Sequence, residues 1–322
     1  MDEIFRSIKR TGGAFALQLV PDLVKFILKF KNRIIQPYVR KRYSMQREKA
    51  LKKYGQFGKT ELHELFRNIG LNNASTLFVM SSWDSMHTFS GNPYDVIDVL
   101  LNVIGSKSTL CMTAFPPLKI SKNFEVFDVR HDPSKTGLIT EYFRRIDGVI
   151  RSRQLRSVCA FGPEARFLTE SHHLSPFTCG VKSPYWLLRE IDSYFLLLGL
   201  FPSTYVLNLH CVEDVLCDDF PICVYPPEPN QITVIDYDGR PLNVKAYRLL
   251  SHMDFKMKSV APIMSQYFED LFLIKGIYKG IPYSLVKIKP WTDRVIQLAR
   301  KDIHAFGNKF PEPEETIKLI TQ

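Results

Sequence analysis

Cysteine and histidine are the side chains most able to do chemistry near neutral pH, and their spacing limits what that chemistry can be. The six cysteines are Cys111, Cys159, Cys179, Cys211, Cys217 and Cys223. None forms a Cys-x-x-Cys pair, and the six-residue interval between the last three does not suit zinc. They read as reduced thiols of a cytoplasmic protein, and no metal site is expected. Among the histidines, His63 falls on a polar helix, His172 and His173 lie in a serine-flanked turn, and His87 and His131 belong to no motif. His210 follows the strongly apolar run Tyr194–Gly199. Taken alone, a histidine in that position reads as a polar loop residue.

Any such group needs a frame to hold it. The 322 residues are 45% hydrophobic and 24% charged, enough for one large core or two modest ones. Short apolar runs bounded by polar residues predict buried strands at Thr76–Met80, Thr109–Thr113, Ser157–Phe161 and Tyr194–Gly199. Helical periodicity predicts helices at Glu61–Ile69, Pro93–Ile104, Leu138–Ile146 and Tyr185–Ile191, with Gly105 stopping the second. Strands alternating with helices imply an α/β fold with a largely parallel or mixed central sheet flanked by helices. From about residue 220 the character becomes β-rich: Ile222–Tyr225, Ile232–Asp236 and Leu242–Tyr247 read as strands, with a turn at Asp238-Gly239. A small C-terminal subdomain is expected there, followed by helices at about 254–272 and 290–305.

The net charge of +10 is local. Residues 1–55 carry fourteen Lys and Arg against Asp2, Glu3, Asp22 and Glu48, so they hold the whole excess and the rest is neutral. Residues 1–60 read as a helical extension, with apolar positions from Phe15 to Phe30 and a helix beginning near Pro21. Two readings of it stand: an arm in peripheral contact with an anionic membrane through residues 1–55, or a helical layer packed on the domain of residues 61–322. No signal peptide or membrane span is read, so the location is cytoplasmic, with the inner membrane face as an extension of the first reading. The arm carries no nucleic-acid-binding motif, and nucleic acid is not expected as a partner.

Several ordered stretches go further. Leu77–Ser85 (LFVMSSWDS), Val96–Phe115, Thr136–Ser152, Ser157–His172, Ser183–Leu188, Tyr194–Leu200 and Leu209–Asp214 (LHCVED) follow one another in the order of a known family. The set resembles the aminoglycoside 3-N-acetyltransferase family from about residue 60 to the C-terminus. The resemblance implies an acetyl-CoA co-substrate, no metal, and direct transfer in a ternary complex to an amine on a sugar-like substrate. It implies that His210, in Leu209-His210-Cys211-Val212-Glu213, is the base. An amine of pKa above 7 arrives protonated, and an imidazole near neutral pKa can take its proton. Glu213 or Asp128 would orient that imidazole. Ser81 and Ser82 would face the thioester and the pantetheine amides. Thr136, Gly137, Arg151 and Ser152 would line the CoA site, Arg151 meeting a phosphate. In this family an Arg-Ser-x-His-Pro pattern is common, whereas this chain reads Arg151-Ser152-Arg153-Gln154-Leu155-Arg156-Ser157, which bears on the acceptor. Asp214, Asp218 and Asp219 suit a cationic aminoglycoside, while Arg151, Arg153 and Arg156 suit an anionic amino sugar. The rival from another class is a non-catalytic CoA-binding or membrane-surface interaction protein derived from the same family.

Overall fold

The computed structural model describes residues 36–117, 119–121, 124–201, 209–217, 225–248 and 266–301. The chain divides into two units, Met1–Gly55 and Gln56–Gln322. In the first, α1 spans Gln36–Tyr54. The expected helix start at Pro21 and the apolar stretch 15–30 lie outside the described residues.

The second unit is built on a mixed seven-stranded sheet. Its strands are β1 (Thr76–Ser81), β2 (Thr109–Thr113), β5 (Ile150–Arg151), β6 (Val158–Phe161), β7 (Ser193–Leu198), β10 (Phe272–Tyr278) and β11 (Ile281–Lys287). They are ordered β10-β11-β7-β1-β2-β6-β5. Only β7, β1 and β2 run parallel; β6 joins β2 and β11 joins β7 antiparallel. Of the largely parallel or mixed sheet expected from the alternation of strands and helices, the structure shows the mixed form, parallel at its centre and antiparallel at its flanks.

Successive residues of the three parallel strands point to opposite faces. Leu77, Val79, Leu110, Met112, Leu196 and Leu198 join one core with α2 (Lys59–Asn68) and α3 (Pro93–Ile104). Phe78, Cys111, Phe195 and Leu197 join another with α5 (Ala165–Glu170), α6 (Pro184–Glu190) and α8 (Ile288–Lys301). Both faces are thus covered, which is why these strands read as unbroken apolar runs. At α3 the Asn92 side chain accepts from the Tyr94 and Asp95 amides at 2.9 and 3.2 Å, and Pro93 occupies the first turn.

A second sheet has the order β3-β4-β8-β9, from Lys119–Ser121, Phe124–Asp128, Asn230–Ile235 and Pro241–Ala246. Its core is Phe127, Val129, Ile232, Val234, Val244 and Ala246. The β-rich part is therefore not a block that begins near 220. It recruits β3 and β4 from upstream, while β10 and β11 return to the main sheet. The hairpin β8–β9 turns at Asp238-Gly239 as the sequence predicts, with Gly239 at φ 82°. Helix 254–272 lies mostly outside the described residues, and its end is in fact the start of β10. Strand 222–225 is described only at Tyr225. Helix α4 covers Leu138–Phe143 and α7 Leu209–Val215.

Candidate active site

A parallel sheet presents functional loops at the carboxyl ends of its strands, where the connections diverge. Here β1 lies between β7 and β2, and the chain leaving each strand end carries the residues singled out above.

At the end of β1, Ser81 and Ser82 are half-buried. The Ser82 amide donates to the Leu198 carbonyl at 2.9 Å, so it belongs to the sheet and is not offered to a thioester. Its hydroxyl accepts from Ser85 at 3.3 Å. Gly199, the first residue after β7, has φ 74°, and a Cβ there would sit 2.7 Å from the Ser82 carbonyl oxygen. The end of β7 thus packs directly on the serine pair.

At the end of β2, the Thr136 hydroxyl donates to the Thr113 carbonyl at 2.5 Å and contacts the Ser134 hydroxyl at 2.7 Å. The Lys135 amide donates to Phe115 at 2.8 Å. Gly137 has φ 130°, and a Cβ on it would sit 3.6 Å from the Ser81 carbonyl oxygen. Ser81, Ser82, Thr136 and Gly137 are therefore brought together at one end of the sheet. Glu141 in the following turn anchors the loop by accepting from the Ser134 amide at 2.7 Å and from Arg144 and Arg145. Burial alone would raise its carboxyl, but these donors outweigh it and lower it to about 2.

Arg151 and Ser152 require correction. Arg151 is 2% exposed. Its guanidinium donates to the Ala114 carbonyl at 2.5 and 3.0 Å, to the Asp132 carbonyl at 2.6 Å and to the Ser157 hydroxyl at 3.2 Å, and lies 4.7 Å from the centre of the Phe127 ring. A group wrapped on all sides by its own chain does not meet a CoA phosphate. Ser152 is fully buried; its hydroxyl accepts from the Val158 amide at 3.0 Å and lies 2.8 Å from His172 Nδ1. Both residues are structural. Arg153 is paired with Asp236 at 2.6 Å, and the Arg156 guanidinium contacts Cys179 Sγ at 3.8 Å. Asp214 is buried and accepts from the Cys179 amide at 2.5 Å and from the Tyr225 hydroxyl. Neither Asp214 nor these arginines form an open docking set for the acceptor. Asp218 and Asp219 lie outside the described residues.

His210 is half-buried on α7, the helix that follows β7 in the chain. Cys211 beside it is fully buried in the core. Glu213 is one turn on in the same helix; its side chain is outside the described residues. Asp128 stands at the end of β4, where its carboxylate accepts from the Arg130 and His131 amides at 3.0 and 2.8 Å and lies 3.1 Å from His131 Nδ1. Partial burial pulls its pKa up, but the His131 and Arg130 hydrogen bonds prevail and hold it below the usual value. The partner of Asp128 is thus His131, three residues away in a turn, an Asp–His pair that the Asp-x-x-His spacing carries but that belongs to no motif. Among the described residues no cluster of His, Cys, Asp and Glu could hold a metal ion.

The fold is that of an α/β protein, and the loops that carry several of the expected site residues lie at the carboxyl side of its mixed sheet. A family model for aminoglycoside 3-N-acetyltransferase matches residues 78–299, and the chain belongs to that family. A curated relative, aminoglycoside N(3)-acetyltransferase IV of Salmonella sp, is 29% identical over 145 residues, 44% of this chain. The match spans about half of that relative, 53% of its length. Among solved structures, a histidine-to-alanine mutant of aminoglycoside acetyltransferase AAC(3)-IVa in complex with a gentamicin superposes with TM-score 0.64 at 22% identity, over 81% of this chain and 94% of that one. AAC-IIIb in binary complex with CoASH gives TM-score 0.61 at 18% identity, over 79% and 99%. These similarities carry the fold.

Proposed function

We propose that the protein is an acetyl-CoA-dependent N-acetyltransferase that acetylates an amine of an amino sugar or aminoglycoside-like substrate by direct transfer in a ternary complex. The observation that carries this reading is the convergence of Ser81, Ser82, Thr136 and Gly137 at the carboxyl end of the parallel strands, in a chain of this family whose next helix holds His210. Relatives bound to CoASH and to a gentamicin supply the matching ligand classes.

In this reading His210 takes the proton of the amine as its nitrogen attacks the thioester carbonyl. An N–C bond forms, the C–S bond breaks, and the proton passes to the CoA thiolate. Glu213, three residues on in α7, is the carboxylate that sequence spacing puts nearest the imidazole; Asp128 is engaged by His131 and is the weaker choice. Thr136 and the exposed backbone of Gly137 form the side on which acetyl-CoA would lie. A mobile acetyl carrier is not needed, and Cys211 is sealed in the core. The acceptor is an amine-bearing sugar; the buried Arg151 and the paired Arg153 take away the argument for an anionic one, and the buried Asp214 takes away part of the argument for a polycation.

The test is release of free CoA from acetyl-CoA with aminoglycosides and with nucleotide-linked amino sugars as acceptors, in wild type and His210→Ala. Acceptor-dependent release that His210→Ala abolishes supports the proposal. Acetyl-CoA binding without release for any amine would overturn it in favour of a non-catalytic CoA-binding protein.

A further inference from the structure

Helix α1 is strongly basic. Its nineteen residues include seven Lys and Arg and a single acid, Glu48. No acid lies in the first turn, where the helix dipole favours one, and the basic pair Lys49 and Lys53 stands four residues apart on one face. Lys41, Arg42, Arg47, Lys49, Lys52 and Lys53 are all exposed, and none has an ion pair among the described residues. Lys41, Arg42, Met45, Gln46 and Lys49 lie together on one side of the helix, with Met45 49% exposed among the cations. Tyr43, Ala50, Leu51 and Tyr54 are half-buried, so the charges are what the helix presents outward. The second unit does not share this excess: the net charge of the chain resides in residues 1–55.

We infer that α1 is a docking surface for an anionic phospholipid membrane. Lipid phosphates would relieve the repulsion among the exposed cations, and this side of the helix combines cations with the flexible apolar side chain of Met45, as a headgroup–acyl boundary requires. The apolar positions Phe15–Phe30 that precede α1 in the sequence suit lipid burial. This inference does not depend on the acetyl-transfer reading, and its test uses no enzymatic readout.

The full-length protein is sedimented with phosphatidylcholine vesicles and with vesicles containing phosphatidylserine, at low and moderate salt. A variant with Lys41, Arg42, Arg47, Lys49, Lys52 and Lys53 all changed to Gln is compared with one in which the four lysines become Arg; circular dichroism melting checks that both fold. Binding is expected only to the anionic vesicles and is expected to weaken with salt. The Gln variant should lose on the order of 100-fold or more, since each basic residue near such a surface contributes about fivefold. The Arg variant should bind like wild type. Equal affinity for neutral and anionic vesicles at low salt, or no binding to either, overturns the inference. So does tighter binding to duplex DNA than to phosphatidylserine vesicles.

Discussion

Replacing His210 with Ala is expected to lower kcat by about 10²–10⁴ while acetyl-CoA still binds, the usual worth of a positioned base; steady-state CoA release and acetyl-CoA titration measure the two effects. Near-normal turnover in the folded variant removes His210 from the mechanism. Cys211→Ala should keep most activity, because a fully buried thiol takes no part in transfer, and should cost only about 1 kcal/mol of stability; an acetylated Cys211 that passes its acetyl group to the acceptor would sink direct transfer. His172 has a different role. Its Nε2 donates to the Thr178 carbonyl at 2.8 Å, and burial lowers its pKa from 6.5 to about 4. The unfolded chain therefore binds a proton that the folded one refuses. The stability this neutral imidazole provides is present above pH 6.5 and is lost as pH falls from 6.5 toward 4. Thermal unfolding of wild type should show a falling Tm over that window, with a smaller fall in His172→Gln; parallel profiles would mean that His172 does not set the pH response.

At the level of elements, the central strands were legible because burial on both faces leaves an uninterrupted apolar run. Pro93–Ile104 and Thr109–Thr113 fall where the periodicity puts them. The hairpin β10–β11 was not legible. In β10 half-buried residues alternate with the exposed Leu273, Lys275 and Ile277, and Gly276 weakens the pattern. Its turn uses Lys279 at φ 48° with Gly280 at φ 86°, and lysine is not a residue that announces that conformation. The candidate site was read in part. The pairing of Ser81 with Gly137 follows the strand order, whereas the burial of Arg151 follows from carbonyls of residues 114 and 132, which no local pattern links to it. The contact between the end of β7 and the serine pair gives a prediction of its own. Gly199→Ala puts a Cβ against the Ser82 carbonyl at a φ that disfavours L residues, so it should cost about 2–4 kcal/mol and lower kcat by displacing Ser81 and Ser82. Thermal unfolding together with CoA release decides; an unchanged Tm would show that the strand end has slack.

Across the second unit, Arg151 is one of the residues that link the two sheets. Its amide donates to the Tyr237 hydroxyl at 2.5 Å, just beyond β8, and its guanidinium reaches the end of β2, the turn at Asp132 and the Phe127 ring of β4. Arg151→Met should cost about 2–4 kcal/mol, chiefly by leaving the Asp132 carbonyl without its donor, with Arg151→Lys recovering part. Urea unfolding measures both, and a Met variant as stable as wild type would mean that the sheets hold together without this group. The strand order also has a consequence for the chain as it is made. Strand β7 lies inside the finished sheet, between β1 and β11, yet β11 is the last strand synthesised among the described residues. Some ninety residues separate the end of β7 at Leu198 from the end of β11 at Lys287. At about 5–20 residues per second the ribosome takes roughly 5–20 s to cover them. Throughout that interval one edge of Phe195-Leu196-Leu197-Leu198 has no native neighbour. The nascent protein thus spends seconds with the open backbone of a strongly apolar strand available to any other emerging chain, so slower translation is expected to lower its yield in the cell.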